Sequence, residues 1–302
     1  MKICINRKSV EGPWGGGNLF VRAFCEAMKS YGHEVVHDLC DDLDIIFMQD
    51  PRYDELRLSA NEIKSYKTKT PSVVVFHRVN ECDARKGTSG VDEMLQSCST
   101  FTDHTIFVSN WMKEYHLSKS WHCKNNHVLY NGVNLEHFKP REKINNSKIN
   151  IVTHHWSNNR LKGFDIYEKL DEYVGKNNDM YTFTYIGREL GTFKNTKVIP
   201  PLFGEGLGEE LGKYNVYISA SRFDPGPNHI IESLACGLPT LCHAHGGGAV
   251  EFCGGINVFS NFEELVNSLE NKSYQLNDTT KLSSWKKCMS NLNKMMVNSV
   301  KK

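Results

Sequence analysis

The 302 residues contain no apolar run approaching the ~20 that a membrane-spanning helix needs, so no helical span is expected. The opening stretch, MKICINRKSVEG, lacks the apolar core of a signal peptide, and a cytoplasmic location follows as the expectation. No excess charge of one sign is present: 36 basic residues stand against 35 acidic ones, a formal charge of +1. Nothing global therefore draws the chain to nucleic acid or to bulk anionic membrane. Ten cysteines occur, yet no Cys-x-x-Cys. Several (Cys4, Cys25, Cys236, Cys242) lie inside apolar strand or helix patterns, so reduced thiols are expected rather than a disulfide framework or a zinc site.

What is present is a repeated alternation of short β-rich apolar runs with helical periodicity. KICIN reads as a strand, GPWGGGN as a glycine-rich turn, and LFVRAFCEAMKSYG as a helix with apolar residues at helical spacing. EVVHDL, DIIFM, PSVVVF, HTIFVS and HVLYN read as further strands, with NWMKEYHL helical. A polar stretch, KPREKINNSKIN, suggests a linker, after which the alternation restarts with INIVTHH, YTFTYIG, NVYISAS and TLCHAH as strands. The pattern predicts an α/β protein with two Rossmann-like parallel-sheet domains. The boundaries expected are 1–142 and 143–282, with a terminal helix over 283–302 that can pack back on the first domain.

One stretch concentrates the chemistry: SRFDPGPNHIIESLACGLPT, Ser221 to Thr240. A strand enters a turn holding Asp224, Gly226 or Asn228 is placed to cap the next helix, and Pro227 suits its first turn. Gly237 and Pro239 end that helix. The unit reads as βαβ with its turn at the carboxyl end of a parallel strand, where open sheets bind ligands beside a helix N-terminus. Asp224 in the loop and Glu232 one turn into the helix can face one crevice; the plainer alternative is two acids that cap and solvate a turn.

This stretch, followed by GGGAVE, resembles the nucleotide-sugar signature of family 4 glycosyltransferases of the GT-B fold. Those enzymes carry Glu-x7-Glu running into E-A-x-A-x-G-x-P and then G-G-x-x-E. Further segments are similar in order and spacing: GGGNLFVRAF, FVSNWMKE, VLYNGVNLEHFKP and LKGF. The resemblance implies two domains facing each other across a cleft and transfer of a sugar, with retention, from a nucleotide diphosphate sugar to an acceptor hydroxyl in glycan or glycoconjugate synthesis. No cofactor and no metal are implied, and the base, sugar and acceptor (a glycan, a lipid-linked or a small-molecule hydroxyl) are left open.

Residue by residue, the resemblance places Glu232 on the donor ribose and Asp224 against the donor sugar, where the family has glutamate. Lys162 would hold the donor diphosphate, a task suited to a flexible ammonium. Trp156 and Ser157 stand where the family has an arginine; Arg160 and Arg188 are the candidate replacements, neither in register. Gly226, Pro227, Asn228 and His229 would present a helix N-terminus to the donor. Gly16 and Gly17 from one half, with Gly247 and Gly248 from the other, would offer backbone amides. His77, read as ending its strand, would lie beside the transferred sugar, and Asn80, Glu81 and Asp83 on the following loop would meet the acceptor. The pairs His154–His155 and His243-x-His245 suggest a metal only weakly, since no carboxylate or cysteine lies at ligand spacing. The basic, aromatic stretch WMKEYHLSKSWHCK is a candidate for weak membrane-surface contact or, more plainly, a solvated helix face. Competing readings are a nucleotide-sugar epimerase or phosphorylase on the same fold, and a degenerate binding protein without turnover.

Overall fold

A computed structural model describes residues 1–12, 15–52, 54–188 and 191–300. Pro13 and Trp14 of the expected glycine-rich turn lie outside the described residues. The chain forms two compact units: Met1–Gly132 with the segment from Ser283 onward, and Val133–Leu282. The division thus falls ahead of the polar stretch expected to be the linker.

The first unit runs β1 (Lys2–Ile5), α1 (Gly15–Ser30), β2 (Glu34–Val36), β3 (Ile45–Met48), α2 (Ala60–Lys69), β4 (Val74–Val79), α3 (Val91–Ser97), β5 (His104–Phe107), α4 (Asn110–Leu117) and β6 (Asn126–Val128). All pairings are parallel, in the order β2-β1-β3-β4-β5-β6. Ile45 to Met48 are all fully buried, as expected of a strand covered on both faces. α1 turns Phe20, Val21, Phe24 and Met28 inward, where they meet Phe47, Phe76 and the C-terminal helix Trp285–Val300 through Met289, Leu292 and Met296. Gly132 permits that docking, because a Cβ there would lie 2.6 Å from the Trp285 backbone. α2 starts with a reciprocal capping box between Ser59 and Glu62, an arrangement worth about 1 kcal/mol.

The second unit runs β7 (Ile149–His155), α5 (Phe164–Lys176), β8 (Tyr181–Gly187), β9 (Lys197–Ile199), α6 (Gly204–Leu211), β10 (Val216–Ser219), α7 (Asn228–Ala235), β11 (Thr240–His243), α8 (Val250–Cys253), β12 (Val258–Phe259) and α9 (Phe262–Glu270). Its sheet is also parallel, in the order β12-β11-β10-β7-β8-β9. Counted within the unit this is the 3-2-1-4-5-6 arrangement of dinucleotide-binding folds. Its direction reverses between β7 and β10, the position where such sheets hold ligands beyond the strand carboxyl ends.

The basic, aromatic stretch around α4 is partly core. Trp121 is 2% exposed and packs edge-on against Phe107 and His116, while Lys119 is paired with Asp92 at 2.6 Å. Among the described residues no helix is long and apolar enough to cross a membrane.

Candidate active site

The reversal between β7 and β10 brings together residues that are far apart in sequence. After β7 the chain enters a single 3-10 turn, Arg160–Lys162, where the Asn159 side chain accepts the Leu161 N–H at 2.8 Å. Gly163 follows with φ +93°, and a Cβ there would lie 2.3 Å from the Ala220 Cβ and 2.4 Å from its carbonyl oxygen. Only glycine allows both the backbone angle and the approach. That approach sets Lys162 beside the end of β10.

The loop after β10 is held equally tightly. Phe223 has a left-handed backbone, φ +53°, unusual for a bulky residue and a sign of local strain. Phe223 N–H donates to the His245 carbonyl at 2.8 Å, and Gly248 N–H donates to the Asp224 carbonyl at 2.8 Å. Asp224 and Gly247 form an isolated parallel bridge, so the aspartate loop and the second glycine run are clipped together. Asp224 is 5% exposed, and its Oδ2 accepts from Lys162 Nζ at 2.7 Å. A second Lys162 N–H reaches Ser221 Oγ at 3.4 Å, which leaves the third ammonium hydrogen to point elsewhere.

His229, in the first turn of α7, lies behind this pair. Its Nε2 is 2.8 Å from Ser219 Oγ and its Nδ1 is 3.8 Å from the same Asp224 oxygen. Burial lowers its pKa to about 3, against an opposing pull from Asp224, so the ring is neutral near pH 7. α7 begins at Pro227 with no side-chain cap; the expectation that Gly226 or Asn228 caps it does not hold, because Pro227 occupies the cap position and Asn228 is already helical.

Glu232 projects from the second turn of α7. Its Oε2 is 2.9 Å from His154 Nε2, and both side chains are about one-tenth exposed. The other His154 nitrogen is buried and unpartnered. The adjacent His155 faces the opposite side of β7, with Nε2 2.7 Å from Tyr167 Oη, which also accepts the Ala220 N–H at 2.9 Å. Burial, reinforced by His229 and Lys162, pushes the His155 pKa well below its ordinary value. The two histidines therefore diverge. His243 Nδ1 likewise accepts the His245 backbone N–H at 3.0 Å rather than joining its neighbour around an ion. Among the described residues no group of three His, Cys, Asp or Glu side chains is arranged to hold a metal.

Of the two candidate arginines, Arg160 is exposed on its 3-10 turn. Arg188, just past β8, places its guanidinium 3.9 Å over the Trp156 ring. β7 and β8 run in register up to His155–Gly187, so the strand ends carry Trp156 and Arg188 side by side. Trp156 is thus covered by an arginine from the neighbouring strand.

The first-unit candidates separate sharply. Gly16 and Gly17 belong to the first turn of α1 rather than to a loop before it. β4 continues through Val79, so His77 does not end its strand; it is fully buried, near Trp121, with both ring nitrogens unpartnered and a pKa lowered to about 3 by burial. Glu81 is 7% exposed and taken by Arg85 at 3.0 Å and Lys86 at 3.4 Å. Asp83 accepts the N–H groups of Val91 and Asp92 and the Thr88 hydroxyl, which organises the entry to α3. Among the described residues, the Asn80 side chain makes no such internal bond. Nothing in the spacing points to His154 as the partner of Glu232, because the two lie 78 positions apart, on β7 and α7.

No protein-family model matches the sequence, and no curated protein matches it. Solved structures do. HepE of Anabaena, in complex with UDP-glucose, is 14% identical and superposes over 100% of this chain and 99% of its own with a TM-score of 0.68. Sucrose-phosphate synthase of Thermosynechococcus elongatus is 14% identical, with 99% and 94% covered and a TM-score of 0.63. The pneumococcal O-GlcNAc transferase GtfA, in complex with UDP and GlcNAc, is 13% identical, with 94% of this chain and 60% of that one covered and a TM-score of 0.61. The fold of this chain is the two-domain α/β architecture those proteins share, GT-B.

Proposed function

We propose that the protein is a glycosyltransferase that moves a sugar from a nucleotide diphosphate sugar to an acceptor hydroxyl. The observation that carries this reading is the convergence of Lys162, Asp224 and Glu232 at the β7–β10 reversal of a dinucleotide-type sheet. The GT-B fold supports it, since solved relatives of that fold include proteins in complex with UDP-glucose and UDP.

In this reading Glu232, steadied by His154, takes the hydroxyls of the donor ribose. Lys162 directs its remaining N–H toward the diphosphate, with Arg188 as the second cation and the Gly247 and Gly248 backbone beside the sugar. The bond from the anomeric carbon to the diphosphate oxygen breaks, and the acceptor oxygen bonds to that carbon. The acceptor proton leaves with the nucleoside diphosphate. Charge on the leaving group is the main thing to stabilise, so a lysine and an arginine suffice and no strong general base is required; retention of configuration fits that arrangement. Asp224, held against Lys162, orients the ammonium and lies near the positive charge that develops on the sugar ring. No metal enters this scheme. Incubation with a panel of nucleotide sugars tests it: acceptor-dependent release of nucleoside diphosphate is expected. Nucleotide binding without release on any donor would instead favour a binding protein, and interconversion of sugars an epimerase.

A further inference from the structure

The first unit has its own reversal point, between β1 and β3, and the residues just beyond those strands are not accounted for by the donor site. The three heavy atoms nearest to a Cβ placed on Gly17 are all nitrogens: Gln49 Nε2 at 3.5 Å, Arg7 Nη1 at 3.7 Å and Asn80 Nδ2 at 3.7 Å. They come from the carboxyl ends of three neighbouring strands, β3, β1 and β4.

Among the described residues, none of these nitrogens has a hydrogen-bond or ion-pair partner. Gln49 is fully buried, and its Oε1 accepts from the buried Arg78 at 3.2 Å, which fixes the amide so that Nε2 faces Gly17, unpartnered. Asn80 makes no side-chain hydrogen bond among the described residues. Among the described residues Arg7 has no carboxylate within ion-pair distance, because Asp50 is engaged by Arg52 at 2.7 Å and Arg57 at 2.5 Å, and Asp54 by Arg57. Burial and the neighbouring Arg57 lower the Arg7 pKa, so the fold bears a cost for keeping a cation there. A buried amide N–H and an unpaired guanidinium are both expensive to leave without an acceptor. The first turn of α1 contributes no acidic side chain, and its dipole adds positive potential.

We infer that Arg7, Gln49 and Asn80 around Gly17 form an oxyanion-binding site, and that it receives a phosphate or carboxylate group carried by the acceptor. The assignment to the acceptor rests on the proposed transferase reading, in which Lys162 and Arg188 of the second unit already meet the donor diphosphate. The donor site has its own cations, and Arg7 supplies charge for a second anion. The acceptor class that follows is an anionic one, such as a sugar phosphate, a phosphorylated lipid headgroup or an acidic sugar.

Gly17 supplies a variant that separates binding from folding. A Cβ there meets its neighbours only at ordinary contact distance, and its backbone angle is not in the left-handed region, so Gly17→Ala fits the helix while narrowing the space between the three nitrogens. Inorganic phosphate and UDP are titrated separately, by calorimetry, into the wild type, Arg7→Met, Gly17→Ala and Lys162→Ala. Phosphate affinity is expected to fall at least tenfold in Arg7→Met and Gly17→Ala, with the Tm of Gly17→Ala at or above that of the wild type and UDP affinity within twofold. Lys162→Ala should weaken UDP and leave phosphate bound. No phosphate binding by the wild type, or unchanged affinity in both first-unit variants, overturns the site. A parallel loss of phosphate and UDP in those variants overturns the acceptor assignment and gives the site to the donor. Failure of the wild type to bind any of UDP, GDP, ADP, CDP and dTDP, with the phosphate results as expected, removes the transferase reading while the oxyanion site stands.

Discussion

The Asp224 carboxylate lies 2.7 Å from the Lys162 ammonium, across 62 positions of sequence, and both groups are largely shielded from water. Removing one member leaves the other as an uncompensated charge, which costs on the order of 3 kcal/mol. Lys162→Met should therefore lower stability by about that amount and turnover by roughly 100-fold or more. Adding Asp224→Leu to it should restore much of the stability and none of the turnover. Chemical denaturation of the single and double variants, beside their rates, gives the cycle; equal stability of Lys162→Met and wild type contradicts the pairing.

Glu232 contacts His154 from the second turn of α7, whose first turn carries His229 beside Asp224. Glu232→Gln preserves shape and removes the charge-assisted acceptor. Nucleotide affinity should fall by about tenfold, with a loss near 1.4 kcal/mol, while the fold is kept. Unchanged nucleotide affinity by calorimetry removes the ribose assignment.

Gly247 bridges to Asp224 with φ +67°, and a Cβ there would come within 2.7 Å of the Asp224 carbonyl oxygen and 2.8 Å of its nitrogen. Gly247→Ala forces the aspartate loop to move. It should cost about 1–3 kcal/mol in stability and lower turnover more than it weakens nucleotide binding. Wild-type turnover in this variant would show that the clip between the two loops does not position Asp224.

His77 is the reverse case: a histidine expected to touch the sugar that is instead sealed in the sheet. Its two unpartnered nitrogens cost stability, so His77→Leu should be neutral or stabilising by about 1–3 kcal/mol, with activity retained. The pH dependence follows from the lowered pKa of about 3. Between the ordinary histidine range and about pH 3 the unfolded chain binds a proton that the folded chain does not, so stability falls as pH falls through that window. His77→Leu should make that decline shallower by up to ~1.4 kcal/mol per pH unit, with His155 and His229 maintaining the rest. An unaltered slope in urea titrations across this range contradicts the buried neutral state.

The alternation of apolar runs and helices made both sheets legible, because parallel strands buried on two faces cannot hide their apolar continuity. The Asp224–Glu232 turn was legible because its proline and glycine positions and its acids are local. What sequence could not supply were relations between strand ends. His154 meets Glu232, and Arg188 covers Trp156, only because β7 adjoins β10 on one side and β8 on the other. In PSVVVFHRVN the apolar run stops at Phe76 and the polar His77 and Arg78 follow, so His77 reads as a strand end; the strand instead runs on through Arg78, whose guanidinium is buried over the Phe20 ring 4.0 Å away. A charged residue inside a strand reads as an end until tertiary packing covers it.

The central claim is that the Lys162–Asp224–Glu232 site breaks the bond between a sugar and a nucleoside diphosphate. The most direct measurement is nucleoside diphosphate release from a nucleotide-sugar panel, with sugar phosphates and acidic sugars as acceptors. The account predicts acceptor-dependent release from at least one donor, reduced about 100-fold or more in Lys162→Met. Release that is the same in Lys162→Met and the wild type, or sugar interconversion without release, contradicts it.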